Sequence, residues 1–192
     1  SRPEFDLQGG LVTLGSDGNG LVKISGTQNY RGALGISNGT LKIDGDVTIG
    51  SETYRPGGLK LERTGNLEIT GNCVQTKIGE MQIELADRGV PAIDVGGYAD
   101  IAGTLSITSP SGVSSPAVGT SWDLLRYTPQ LGFENRFRIA VLPGIDAGKY
   151  LRINYSEDLR STVTISVSVE SIDGLLDLAE TGDVTVTGAA TD

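Results

Sequence analysis

The chain has 192 residues, 28 of them glycine, with 38% hydrophobic residues, few aromatics, a formal net charge of −9 and no histidine. Glycine at about twice its usual share of roughly 7% lacks the every-third-residue period of collagen, and the aliphatic content is too high for a disordered chain. Acidic residues are spread along the chain with no clustered basic footprint, which disfavours nucleic acid and anionic membrane surfaces as partners, and no run of about 18 apolar residues is present to insert into a membrane. No secretory signal pattern stands at residues 1–10. If the protein is exported, this sequence is therefore expected to be a piece of a longer one.

In chain order, the first apolar run is Leu11-Val12-Thr13-Leu14. Residues 18–50 then set the pattern for the rest of the chain, with alternating runs Leu21-Val22-Lys23-Ile24, Leu41-Lys42-Ile43 and Val47-Thr48-Ile49. Glycine-centred turns are predicted between them at Gly26, Gly32, Gly35, Gly39 and Gly45. The same phrase (apolar, polar, apolar, turn) returns at Leu59-Lys60-Leu61, Leu67-Glu68-Ile69-Thr70-Gly71, Met81-Gln82-Ile83-Glu84 and Leu105-Ser106-Ile107. Period-two alternation turns the aliphatics inward and Lys42, Lys60, Glu68, Gln82 and Ser106 outward. The phrases recur about 18 to 26 residues apart, as from Val22 to Leu41, Leu41 to Leu59 and Ile83 to Leu105, which is the spacing of a solenoid. The predicted core ladder is Ile24, Leu41, Ile43, Val47, Ile49, Leu59, Leu61, Leu67, Ile69, Ile83, Ile101, Leu105 and Ile107. Cys73, the single cysteine, reads as a small buried hydrophobe.

The second half changes style. Residues 109–120, SPSGVSSPAVGT, read as a loop. Trp122-Asp123-Leu124-Leu125-Arg126-Tyr127 and Phe137-Arg138-Ile139-Ala140-Val141 read as strands. Leu151, Ile153 and Tyr155 share one face of the next strand, and Val163, Ile165, Val167 and Val169 one face of the last. These two are expected to form an antiparallel hairpin that closes the stack, since an open solenoid end exposes unpaired backbone and bare core. The fold expected is all-β: a right-handed parallel β-helix with a partly antiparallel C-terminal cap. It forms one domain over residues 1–170, with coils at 7–107 and the cap at 108–170. Residues 171–192 stay open among a final coil, a short helix and a linker; residues 172–180, IDGLLDLAE, are the one stretch approaching helical spacing.

Two motifs carry a resemblance. Ile24-Ser25-Gly26-Thr27-Gln28-Asn29-Tyr30-Arg31-Gly32 followed by Ser37-Asn38-Gly39-Thr40-Leu41-Lys42-Ile43 resembles the autotransporter-associated β-strand repeat, approximately GTLTLSGxNTYTGxTTVxxGTLxV. Gln28 and Gly35 depart from it, and about 25 residues are covered. More loosely, residues 93–105 followed by Gly119-Thr120-Ser121-Trp122-Asp123-Leu124-Leu125 and Leu142-Pro143 look like coils near the ends of large secreted bacterial surface proteins, those of planctomycetes included. The resemblance implies a right-handed parallel β-helix at the cell surface or outside the cell. It brings no catalytic residues, and these residues include no outer-membrane barrel.

Chemistry has little to work with. Without histidine there is no Ser-His-Asp or Cys-His machinery and no histidine-ligated metal. No phosphate loop is present. The carboxylate pairs Asp44/Asp46 and Glu62/Glu68 read as solvated outer-face charges before they read as glycosidase acids. Asp17-Gly18-Asn19-Gly20 and Asp44-Gly45-Asp46 put oxygens in turns as calcium sites do, but neither completes a calcium loop, and Asx-turns account for both. The threonine pairs Thr162/Thr164 and Thr185/Thr187 are isolated, unlike the stacked rows of an ice-binding face. No cofactor or metal is expected. The function expected is a non-catalytic spacer or scaffold of a secreted or cell-surface bacterial protein, partnered by neighbouring domains of a longer chain. The alternative is an adhesin-type or carbohydrate-binding module, with glycan or a cell surface as partner. Its candidate residues are the aromatics and arginines of the cap: Trp122, Tyr127, Arg138, Tyr150, Arg152 and Tyr155. Aromatic faces stack on sugar rings and guanidinium groups bind anionic or hydroxyl oxygens.

Overall fold

The computed structural model describes residues 5–7, 11–14, 21–25, 28–30, 33–50, 58–109, 116–130, 136–156 and 162–172, and up to residue 33 only their backbone. The elements are all strands. In chain order they are β1 (Phe5–Leu7), β2 (Leu11–Leu14), β3 (Leu21–Ser25), β4 (Gln28–Tyr30), β5 (Ala33–Ile36) and β6 (Thr40–Asp44). Next come β7 (Val47–Ile49), β8 (Gly58–Leu61), β9 (Asn66–Ile69), β10 (Cys73–Gln75), β11 (Glu80–Glu84) and β12 (Ile93–Ile101). The last are β13 (Thr104–Thr108), β14 (Ser121–Thr128), β15 (Ile139–Val141), β16 (Lys149–Tyr155) and β17 (Val163–Ser171).

Successive strands go to three faces in rotation, and each face is a parallel stack. The first holds β1, β4, β7, β10 and the C-terminal part of β12. The second is six-stranded, β2, β5, β8, β11, β13 and β15. The third holds β3, β6, β9, the N-terminal part of β12, and β14. This is a parallel β-solenoid. The repeat is real but uneven: Val22 pairs with Leu41 as its spacing predicts. Leu41 instead pairs with Leu67, while Leu59 belongs to another face beside Leu34. Similarly Ile83 lies opposite Ile107, not Leu105. Corner length varies from turn to turn, so spacing alone confuses two faces that carry the same phrase.

Alternation explains why these segments are strands. On the third face Leu41, Leu67, Ile93 and Leu125 stack in register, each 0–1% exposed, beside Ile43, Ile69 and Val95. On the second, Leu34, Leu59, Met81 and Leu105 stack beside Ile36, Leu61, Ile83 and Ile107, all buried. Each such side chain contributes roughly 1.5–3 kcal/mol by leaving water. Every predicted core residue from Leu41 to Ile107 is buried; the side chain of Ile24 lies outside the described residues. Lys42, Lys60, Glu68, Gln82 and Ser106 face outward, half-buried between their neighbours. Gly35, predicted in a turn, is a residue of β5. Leu34 and Ile36 both point inward, and that fixes the strand phase through it.

Glycines form columns at the corners. Gly45, Gly71 and Gly97 stack directly: Gly71 N–H donates to Gly45 O at 3.1 Å and Gly97 N–H to Gly71 O at 2.9 Å. A Cβ on Gly71 would lie 2.6 Å from Gly45 O, so the corner has no room for one. At the next corner Gly50 has φ +92°, and a Cβ there would lie 2.7 Å from Gly79 Cα. That conformation and that contact both require glycine. Beside it Gln75, 1% exposed, occupies the column position of Ile49 and Ile101. Its amide Nε2 donates to Thr104 O at 2.9 Å and Gly79 O at 3.1 Å, fastening two turns at the bend.

The cap follows from the same sheet. β17 adds antiparallel to β14, and β16 antiparallel to β17, giving the expected hairpin. The parallel stack itself runs beyond residue 107, through β14 on the third face and β15 on the second. Of the predicted loop at 109–120, residues 110–115 lie outside the described residues. So do residues 173–192, and with them the coil, helix and linker readings of the C-terminal segment.

Candidate functional site

The six cap residues do not converge. Inward on β17, Val163, Ile165, Val167 and Val169 are 0–3% exposed. Tyr127 lies opposite Val163, Trp122 opposite Val167, and Tyr155 opposite Ile165, so all three rings share that inner face. Tyr127 is 1% exposed and presents no face to a ligand. Trp122 and Tyr155 are half-buried against the core, with Phe137, Leu142, Ile145 and Ile153. Tyr155 is in effect the end of the ladder that runs through Leu41, Leu67, Ile93, Leu125 and Ile165. Its ring carries the Arg136 guanidinium 5.4 Å from its centroid. Burial raises its phenol pKa, opposed by a backbone hydrogen bond from Phe137 and by the Arg136 charge.

Tyr150 and Arg152 lie on the opposite, outer face of β16, across from Glu170 and Ser168. Arg152 is exposed and Tyr150 half-buried. Beside them Asn154 Nδ2 donates to Ser168 Oγ at 2.9 Å, and Ser168 Oγ donates to Glu170 Oε1 at 2.7 Å, so this face is a hydroxyl and amide network. Arg138 stands apart, immediately before β15 on another face of the solenoid, with its backbone N–H on Gly103 O at 3.0 Å. Of the six, Tyr150 and Arg152 alone share an accessible face.

No family model, curated protein or solved structure matches this chain. The chemistry of its side chains must therefore be read from their surroundings.

Five of the described acidic residues, Asp44, Asp46, Glu62, Glu68 and Asp94, are held by structural partners. Lys42 Nζ donates to Glu68 Oε2 at 3.1 Å, and Arg126 Nε donates to Asp94 Oδ1 at 2.9 Å. Both pairs run along the outer column Lys42, Glu68, Asp94, Arg126 of the third face. Glu62 pairs with Lys60 and accepts from Ser37 Oγ at 3.1 Å, and these two hydrogen bonds hold its pKa below the usual range. Thr70 Oγ1 donates to Asp44 Oδ1 at 3.0 Å. Asp46 Oδ1 takes the backbone N–H of Asn72 at 2.7 Å, and Asn72 Oδ1 takes that of Tyr98 at 3.1 Å. The Asp44-Gly45-Asp46 turn is thus a step of a side-chain ladder beside the glycine column, the first among the described residues. Each step spans 26 residues. The even spacing of Gly45, Gly71 and Gly97 was its visible signal in the sequence.

Two buried groups give a pH signature. Desolvation pushes the Cys73 thiol from its ordinary 9.0 up to about 12 and the Tyr127 phenol from 10.0 up to about 12. Both are neutral when protonated, and the native state holds their protons more tightly than the unfolded chain. Their contribution to stability is therefore complete below about pH 9 and is lost as pH rises through 12. Chemical denaturation at stepped pH is expected to show a midpoint falling over that alkaline range. Tyr127→Phe with Cys73→Ala should flatten the fall, and native Cys73 should resist thiol reagents until the chain unfolds. The Tyr127 hydroxyl has no hydrogen-bond partner, so its removal costs little.

Proposed function

We propose that this chain is a non-catalytic structural spacer of a secreted or cell-surface bacterial protein, holding neighbouring domains of a longer chain apart. The observation that carries this reading is the in-register aliphatic ladder filling the interior. It commits the inward side chains to stacking, while the outward columns are largely small, polar or charge-paired. Parallel strands lie about 4.8 Å apart, so the six of the second face rise roughly 24 Å along the axis, held by continuous backbone hydrogen bonds. The acidic surface favours solubility at an exposed location. The likeness of residues 24–43 to the autotransporter-associated repeat points to the same extracellular setting.

A second reading, an adhesin-type or carbohydrate-binding module, has one specific observation in its favour. Tyr150 and Arg152 share the outer face of the cap beside a row of hydroxyl and amide groups. A glycan-array screen of the folded chain, with and without calcium, separates the two. The spacer reading expects silence across the array with a sharp thermal transition. Reproducible binding that disappears with Tyr150→Ala or Arg152→Ala overturns it in favour of the module.

A further inference from the structure

We propose that the free edge of β16 takes up an extended segment of a partner protein in which apolar and acidic residues alternate. Among the described strands β16 ends its sheet, paired with β17 alone. The backbone bonds of that pair show which groups are spare. Ile172 N–H donates to Gly148 O and Ser156 N–H to Thr164 O, both at 3.0 Å. Bonded and non-bonded residues alternate in an antiparallel pair, so Tyr150, Arg152 and Asn154 turn their backbone groups toward β17. Leu151, Ile153 and Tyr155 therefore direct their N–H and C=O groups to the open side, where no backbone group of the described residues meets them. The strand has seven residues in unbroken register, without the proline or bulge that commonly blunts an edge.

The side chains along this edge define the occupant. On the inner face Ile153 and Tyr155 are half-buried, whereas Val167 and Ile165 opposite them are 0% exposed, so the apolar cover thins at the edge. Apolar residues at alternate positions of an added strand complete it. On the outer face Arg152 is exposed at the middle of β16, and among the described residues no carboxylate pairs with it. β16 holds Lys149 and Arg152 and no acidic residue, in a chain of net charge −9. The edge is thus locally cationic, and its complement is an acid opposite Arg152 with an apolar residue on either side. In antiparallel addition that pair is a non-hydrogen-bonded one, in which side chains approach most closely. A second β16 is a poor occupant, because antiparallel pairing about the strand's centre sets Arg152 against Arg152.

Amide hydrogen exchange by NMR tests this on the full chain, with a synthetic peptide of alternating valine and glutamate and its valine–lysine counterpart. Saturating valine–glutamate peptide should slow exchange at Leu151, Ile153 and Tyr155 at least about tenfold, with the amides of β14 unchanged as the gauge of an intact fold. It should bind at least about threefold more tightly than the lysine peptide. Arg152→Glu, a change at an exposed outer position, should reverse that order, and Arg152→Gln should abolish the difference. No slowing by either peptide, equal binding of the two, or an order that survives both substitutions overturns the proposal. So does protection at residues 139–141 in place of β16. Slow exchange at the β16 amides without peptide also overturns it: independent of protein concentration, it means that the chain covers its own edge, and rising with concentration, that a second copy does.

Discussion

Ile69→Asp is expected to abolish the cooperative melting transition. Ile69 is 2% exposed between Ile43 and Val95 in the third-face ladder, and neither neighbour offers a hydrogen-bond donor to a carboxylate. An unpaired buried carboxylate costs at least about 4 kcal/mol even after it takes up a proton, against a total stability of about 5–15 kcal/mol for a domain. Because each turn rests on the next, the loss is not confined to one strand. The check is a thermal melt followed by circular dichroism beside Ile69→Val, which keeps the contact and should cost only about 1 kcal/mol. An aspartate variant melting like wild type would show that the residue does not face the core.

Gly71→Val is expected to be nearly as damaging, for a steric reason instead of a polar one. A side chain there meets the Gly45 carbonyl of the corner beneath and the Asp46 carboxylate, and the backbone carbonyl is held in the stacked corner. The corner would have to open, breaking the bond from Gly71 N–H to Gly45 O and that from Gly97 N–H to Gly71 O. A loss of about 3 kcal/mol or more is expected in denaturant titration. Gly144→Ala, where an added Cβ meets nothing within 4 Å, is the control and should be close to neutral. Equal midpoints for the two variants would mean that the column is not as tight as its geometry.

The ladder and the corner were legible in the sequence to different degrees. Period-two alternation identified many of the inward residues between Leu41 and Ile107, because a strand with one wet face must alternate, but Ile93, Val95 and Ala99 of β12 were not among them. It did not reveal which rung rests on which. Leu41, Leu59 and Leu67 all open the same phrase, and only the corner geometry sends Leu59 to a different face from the other two. Short strands lacking an obvious phrase were obscured for related reasons. In β10 the inward pair is Cys73 and Gln75, and a buried glutamine does not announce itself as core until two carbonyls are found at its amide. The cap aromatics were visible as residues but not as directions: the bulge in β14 between Asp123 and Leu125 changes the facing of the strand partway along. It brings Trp122 and Tyr127 to the same side, which strict alternation would not do for residues an odd number apart.

The in-register pairing of one turn on the next also bears on how such a chain changes length. Thr40, Leu41, Lys42 and Ile43 meet Asn66, Leu67, Glu68 and Ile69, which in turn offer Leu67, Glu68 and Ile69 to Ile93, Asp94 and Val95. The upper surface of one turn and the upper surface of the next are near copies, so the neighbour above could rest on either. A core assembled from unlike pieces has no such freedom, since removing one leaves a gap that nothing else fits. Here the interchangeable unit is the whole turn, and its loss or duplication leaves every remaining surface facing an acceptable partner. Such a protein is a tape whose measure can be reset without recutting its pattern.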